Sequence, residues 1–263
     1  MNERLRAKLA AALGSAVTRA QQVSGGDINE AYDVALADGR RVLVKTHPRS
    51  PEGMYAAEAH GLQTLARARA LRIPEVLAHA EGDAAGQAFL AIEYIASRAR
   101  GPRFDEELGR GLAALHRSGL PSFGLERDNY IAILPQSNTR CASWSELYAE
   151  HRLRAQLKLA VERGRASAVM RSGLEQLCAK LPALVGPEEP PARLHGDLWG
   201  GNLLVDDRGA PCLIDPAVYG GHREIDLAMM HLFGGFSERT FAAYHEAFPL
   251  ADGHEERVPL YQL

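Results

Sequence analysis

Four polar side chains between Leu194 and Asp215, in the run LHGDLWGGNLLVDDRGAPCLID, have the types and spacing to do chemistry. They are His195, Asp197, Asn202 and Asp215. The apolar run Leu203-Leu204-Val205 predicts a strand, Asp206 to Gly209 a turn, and Pro211 to Ile214 the returning strand. Antiparallel strands joined by a short turn bring their open ends side by side, so Asn202 and Asp215 meet, with Asp197 on the loop before them. A carboxylate and an amide oxygen suit magnesium, a hard cation that takes oxygen ligands and shares them with phosphates. Asp197 is left as a base facing a hydroxyl. Together these groups can move a phosphoryl group from a nucleotide to an alcohol, a reaction driven mostly by positioning and charge neutralisation.

The His-Gly-Asp, Asn, Asp pattern resembles the His-Arg-Asp, Asn and Asp-Phe-Gly set of protein kinases. Gly196 stands in place of the Arg that serves kinases switched by phosphorylation, which points to a constitutive small-molecule kinase. A hairpin turn or an HGD triplet alone is commonplace, but their joint occurrence at this spacing is not.

Such a site needs a second element to hold phosphate. Tyr32 to Leu36 alternates like a strand, Asp38-Gly39 is a hairpin turn, and Arg41 to Lys45 is the return. A helix is expected from Met54 to Ala70, carrying Glu58. A strand Lys paired with a helix Glu is how kinases hold nucleotide phosphates, which assigns Lys45 to phosphate and Glu58 to Lys45. Gly25 and Gly26, just upstream, form a turn that matches neither a GxGxxG run nor a Walker loop. Pro74 to Ala78 and Ala88 to Ile95 complete a small antiparallel sheet, and Ser97 to Arg103 reads as a hinge. Backbone groups at Glu93, Tyr94 and Ile95 could meet an adenine edge, although a buried strand explains the apolar run before them equally well.

A chain of 263 residues holds one large domain or two lobes. Apolar content of 46% and charged content of 24% are ordinary for a globular protein, and a net charge of −3 offers no basic footprint for nucleic acid. No apolar run approaches a membrane span. Cys141, Cys178 and Cys212 are too few and scattered for a disulfide framework or a zinc site, so a cytoplasmic protein is expected.

Leu5, Leu9 and Leu13 predict a first helix. Leu108, Leu112 and Leu115 form the stripe of another, with His116 at its end and Gly119 as its stop. Two more helices are expected over 145–163 and 167–181, and another begins at His222. Asp226 there could accept hydrogen bonds from the catalytic-loop backbone or serve as an N-terminal helix carboxylate.

With these residues in view, the chain resembles the fructosamine kinase (ketosamine-3-kinase) family from about residue 5 onward. LHGDLWGGN, IDPAVYGGHREIDLAM and HLFGGF look like that family's core. FGLERDNYIAILPQSN and EHRLRAQLKL resemble its insert, and VSGGDINEAY, VLVKTH and AEAHGLQTLA its nucleotide lobe. Trp199 after HGDL separates it from aminoglycoside and choline kinases. The resemblance implies an α+β, two-lobed, protein-kinase-like fold, with a β-rich nucleotide lobe over 1–95 and a helical lobe over 96–263. It implies ATP and Mg2+, and phosphorylation of a ketosamine, free or on a glycated lysine, at its third hydroxyl, after which the sugar is shed. The protein is expected to be a monomer or weak dimer.

Matched by position, Asp197 is the proton acceptor, Asn202 and Asp215 the metal ligands, and Lys45 the phosphate holder secured by Glu58. Glu93 to Ile95 match the adenine hinge. Asn129, Gln136, Trp199 and His222 are further candidates for the sugar pocket, where polar side chains beside an aromatic face suit a polyol and equally suit a buried structural network. The chain departs from the family in having Ser24 where some members carry Cys, and Arg140 near a usual Trp. Val258 to Leu263 reads as the first turn of a helix that members usually continue. Two alternatives stand beside this reading. One is an aminoglycoside- or choline-kinase-like phosphotransferase. The other is a non-catalytic nucleotide-binding regulator, which usually lacks one of Lys45, Asp197, Asn202 or Asp215 at the matching position.

Overall fold

The computed structural model of the chain describes residues 1–23, 30–83 and 87–263. Gly25, Gly26 and Ser24 lie outside the described residues. The first third is an antiparallel sheet between two helices. Helix α1 (Glu3–Leu13) starts where the Asn2 side chain accepts the Leu5 N–H and ends at left-handed Gly14. Strands β1 (Val17–Val23), β2 (Glu30–Leu36) and β3 (Arg41–Thr46) follow, then helix α2 (Met54–Ala66) and strands β4 (Val76–Ala80) and β5 (Phe89–Glu93). The sheet order is β1-β2-β3-β5-β4, antiparallel throughout.

The apolar run in β5 is explained by its place between β3 and β4 with both faces covered. Phe89 and Ala91 pack with Leu5, Leu9 and Leu13 of α1. Leu90 and Ile92, on the opposite face, pack with Tyr55, Ala59 and Leu62 of α2.

Beyond residue 95 an extended connector leads into helix α3 (Phe104–Arg117), a β6–β7 hairpin (Asn129–Ile131, Leu134–Gln136), α4 (Trp144–Tyr148), α5 (Arg154–Glu162) and α6 (Ala168–Leu184). The predicted helix over 145–163 is real but contains a π turn at Ala149–Leu153. Strands β8 (Ala192–Leu194), β9 (Leu203–Val205), β10 (Pro211–Leu213) and β11 (Tyr219–Gly221) carry the motif region, and α7 (Glu224–Phe233), α8 (Glu238–Ala247) and α9 (His254–Tyr261) follow. Val258 to Tyr261 is thus the end of a formed helix. Tyr261 is buried, accepting from Trp144 Nε1 at 3.1 Å and donating to the Val185 carbonyl at 2.6 Å. No helix among the described residues is long and apolar enough to cross a membrane.

The α3 stripe has a positional role. Leu108, Leu112 and Leu115 pack beneath Leu198, Leu213 and Val218, and also reach Leu65 of α2. Leu198 follows Asp197 and Leu213 precedes Asp215 by two residues, so this core sets the floor under the polar loop. Leu112 is fully buried. Leu112→Ala is expected to cost about 2–5 kcal/mol, seen as a lower urea midpoint at unchanged m-value.

Candidate active site

The β9–β10 hairpin forms with Leu203 opposite Leu213, so its open end carries Asn202 and Asp215. The Ile214 N–H donates to the Asn202 carbonyl at 3.1 Å. Asn202 lies at the end of a 3-10 turn, Gly200–Asn202. Its Nδ2 donates to the Asp197 carbonyl at 2.8 Å, to Asp197 Oδ2 at 3.0 Å and, more weakly, to the Asp215 carbonyl at 3.4 Å. With the nitrogen so engaged, Oδ1 is the Asn202 atom left for an external cation. Asp215 has φ 55°, a left-handed conformation uncommon outside glycine and tolerated by Asp.

Lys45 brings the sheet half into contact with this end. Its Nζ donates to Glu58 Oε1 at 2.6 Å and to Asp215 Oδ1. Helix α2 can lie this close because Gly61 faces Pro216 and Val218, where a Cβ would sit 3.3 Å from the Pro216 side chain. One turn earlier, Glu58 reaches Lys45. Burial works against the Lys45 charge, but Asp215 and Glu58 outweigh it and keep the ammonium protonated. Burial, reinforced by Asp215, raises Glu58 against the pull of Lys45. One buried cation shared by two carboxylates leaves negative charge that a further cation would neutralise.

Beneath the loop, Asp226 of α7 accepts from the His195 N–H at 2.7 Å and the Gly196 N–H at 2.9 Å. His116 Nε2 lies 3.1 Å from Asp226 Oδ2, and His116 Nδ1 is 2.8 Å from the Tyr244 hydroxyl. Burial acts to raise Asp226, yet the hydrogen bonds from His116 and the Gly196 N–H prevail and hold it below the usual carboxylate range. Of its two sequence-level readings, the structure selects acceptance from the loop backbone. His195 is neutral because burial lowers its pKa. Its Nε2–H donates to the Ile214 carbonyl at 2.9 Å, and its Nδ1 accepts the Asp197 N–H at 3.3 Å. Gly196 has φ 80°, and a Cβ there would lie 2.1 Å from the Ala217 carbonyl oxygen. That close approach excludes the Arg of protein kinases.

A cavity of about 580 Å³ opens over these groups. Lys45, Glu58, Asp197, Asn202 and Asp215 line its polar end, and Ile131, Trp199, Met229 and Phe233 form an apolar wall. The Trp199 and Phe233 rings are 6.2 Å apart and both remain exposed. Phe233, Met229 and Ile131 escape sequence reasoning because they look like ordinary apolar positions. Asn129 lines the cavity, but its amide is spent on the Val218 carbonyl at 2.9 Å and on Gln136 Nε2 at 2.9 Å.

Gln136 and His222 are not among the lining residues. His222 is buried against Tyr261, with ring centroids 5.7 Å apart, because the β11–α7 junction turns it into the aromatic core. Both therefore serve internal packing, the structural-network alternative for these positions. Glu93, Tyr94 and Ile95 also lie outside the lining. The Glu93 N–H is engaged by the Glu75 carbonyl at 2.8 Å, and Tyr94 lies under the Arg41 guanidinium.

This lobe arrangement and site define a protein-kinase-like phosphotransferase fold. An aminoglycoside phosphotransferase solved with ADP and hygromycin B shares that fold at 16% identity, with a TM-score of 0.64 over 98% of this chain and 88% of its own. Much closer is a crystal structure of a candidate fructosamine-3-kinase from Thermobifida fusca, 38% identical, with a TM-score of 0.86 over 98% of this chain and 88% of its own. The "probable ketoamine kinase" of Synechocystis is 38% identical over 92% of this chain and 81% of its own length. The chloroplastic protein-ribulosamine 3-kinase of Arabidopsis thaliana is 37% identical over 94% and 75%. The family profile described as fructosamine kinase matches residues 1–263. The chain belongs to the fructosamine kinase family.

The magnesium expected from the sequence can be tested against the donors present. Among the described residues no cluster of three His, Cys, Asp or Glu is placed to hold a metal. One carboxylate and one amide oxygen fit magnesium, which takes its remaining ligands from phosphate and water. They do not fit a self-sufficient protein cage.

Burial, joined by the charges of Asp215 and Asp226 and opposed by the Asn202 hydrogen bond, pushes Asp197 up to about 6. A carboxyl raised in the folded state contributes stability below its unfolded pKa and loses it as pH rises through the folded one. Asp197→Asn is therefore expected to melt above the wild type at pH 8, with the gap closing toward pH 4. Thermal scans across that range check the sign, and a gap that widens in acid contradicts the raised pKa.

Proposed function

We propose that this protein is an ATP-dependent kinase that phosphorylates the 3-hydroxyl of ketosamines, with deglycation following from loss of the phosphorylated sugar. The observation that carries this reading is the convergence of Lys45, Glu58, Asp197, Asn202 and Asp215 at one cavity end. Family membership supports the acceptor class. In this reading residues 1–95 hold the nucleotide, with Glu93 to Ile95 toward the adenine, and 96–263 hold the acceptor.

Bound magnesium nucleotide supplies the phosphoryl group and neutralises its charge. Asp215 and Asn202 would hold the ion. Lys45, steadied by Glu58, turns its ammonium to the phosphates. Asp197 Oδ2 is fixed by Asn202, and its other oxygen faces the acceptor. The acceptor O–H proton passes to Asp197 as that oxygen bonds phosphorus and ADP leaves. A carboxylate near 6 is better matched to this task than an ordinary Asp, because catalytic bases work best near the operating pH. His195 and Asp226 hold the loop without touching the reacting atoms.

The acceptor enters along Trp199 and Phe233, whose exposed rings offer an apolar surface to the sugar and the carbon stem of its amine. We infer a cytoplasmic setting, supported by three unpaired cysteines, Cys141, Cys178 and Cys212.

Assay of ATP turnover with ribulosyl- and fructosyl-lysine, set against kanamycin and choline, tests the assignment. Turnover confined to kanamycin or choline would sink it. Asp197→Asn is expected to lower kcat by roughly 10²–10⁴-fold. With the wild type, kcat/KM should fall as pH drops through about 6, where Asp197 takes up its proton. Phe233→Ala is expected to raise the ketosamine KM several-fold while leaving the KM for ATP unchanged.

A further inference from the structure

We propose that Arg72 is a positioning residue that ties the end of strand β5, at Glu93, to the turn of the β9–β10 hairpin, and so sets where the ion-binding end of that hairpin meets the nucleotide. The inference rests on the phosphotransferase reading above.

Arg72 lies between α2 and β4, and its guanidinium reaches three carboxylates from two distant segments. It meets Asp206 Oδ2 at 3.1 Å and Asp207 Oδ1 at 2.9 Å in the hairpin turn, and Glu93 Oε1 at 2.7 Å at the end of β5. Its own carbonyl accepts the Leu213 N–H at 3.0 Å, beside a bridge from Arg72 to Cys212. Side chain and main chain of one residue therefore grip the same hairpin.

The partners are themselves fixed. Asp206 is buried, and its Oδ1 accepts from the Arg208 and Ala210 N–H groups, both at 2.8 Å. Glu93 Oε2 accepts the Glu75 N–H at 3.3 Å. The Gly101 N–H of the connector donates to the Gly209 carbonyl of the turn at 2.9 Å.

The far end of the hairpin carries Asn202 and Asp215, about 10 Å away along three-residue strands. A two-stranded hairpin is marginal on its own, so its orientation is decided by what holds its ends. Core packing through Leu203 and Leu213 anchors the open end. Arg72 holds the turn against Glu93 at the end of β5, beside the stretch where adenine is expected.

Stability is not the main yield of this contact. The Arg72 side chain is 31% exposed and Asp207 58%, and partly exposed ion pairs contribute little. Geometry is the yield: a planar fork meets three carboxylates in fixed directions, which a lysine point charge does not set.

The test is Arg72→Met in the full chain, with MgADP affinity by calorimetry and steady-state kinetics with a ketosamine. A misplaced site costs roughly 10–100-fold, so kcat/KM for MgATP and MgADP affinity are expected to fall by about tenfold or more. The ketosamine KM should stay within about twofold and the melting temperature within a few degrees. Arg72→Lys should recover only a minor part. Asp207→Asn, at an exposed partner, should give the same nucleotide-selective split at smaller size, and it decides the matter if Arg72→Met does not fold. Unchanged MgADP affinity in a folded variant overturns the proposal. So does an equal rise of both KM values, which marks a merely structural role. If the wild type neither binds MgADP nor phosphorylates any ketosamine, the functional reading fails instead, and that outcome is separate from the other two.

Discussion

The Lys45 ammonium, buried between Glu58 and Asp215, is the interaction on which the rest of the site depends. It draws one group from strand β3, one from helix α2 and one from the end of the β9–β10 hairpin. The sheet half and the helical half therefore meet at a charge. A buried ammonium needs partners because the cost of desolvating it is several kcal/mol. Two carboxylates meet that need and leave negative charge over. The remaining charge makes the cleft suited to a divalent cation carrying phosphates.

Beneath that contact, the loop bearing Asp197 is held by groups that face away from the cleft. Asp226 takes two backbone N–H groups, His116 supports Asp226, and Tyr244 supports His116. Each is buried, so each bond forms without competition from water. Asp197 is thereby kept in a partly desolvated position that raises its affinity for protons. A strained or desolvated group at a functional site is maintained by the structure around it. Here the supporting structure is this stack together with the α3 core.

Strand and helix identities followed closely from sequence pattern where one face is buried. The β2–β3 hairpin, the α3 stripe and the β9–β10 hairpin occur where alternation or helical spacing places them. The final helix turn of α2 stops short of Ala70, because Arg69 adopts a left-handed conformation that local spacing does not reveal. The four motif residues and the Lys45–Glu58 pair were also readable, since their spacing is set by one hairpin and by one strand followed by one helix. For His222 and Gln136 the sequence left two alternatives open, because a polar residue near a motif looks alike whether it lines a cavity or supports a core. The apolar wall of Ile131, Met229 and Phe233 was invisible for the converse reason, since exposure is a property of the assembled surface.

Sequence alone determined which polar groups are available: two aspartates, an asparagine, a lysine and a glutamate, each on an identifiable element. Those follow from residue type and from the fixed periods of strand and helix. Only the tertiary structure decided the distances and the environment. It put Lys45 between two carboxylates, raised Asp197 by burial, and required glycine at 196 because the Ala217 carbonyl lies where a side chain would be. Contact and desolvation depend on segments far apart in the chain, and no local pattern encodes how closely they approach.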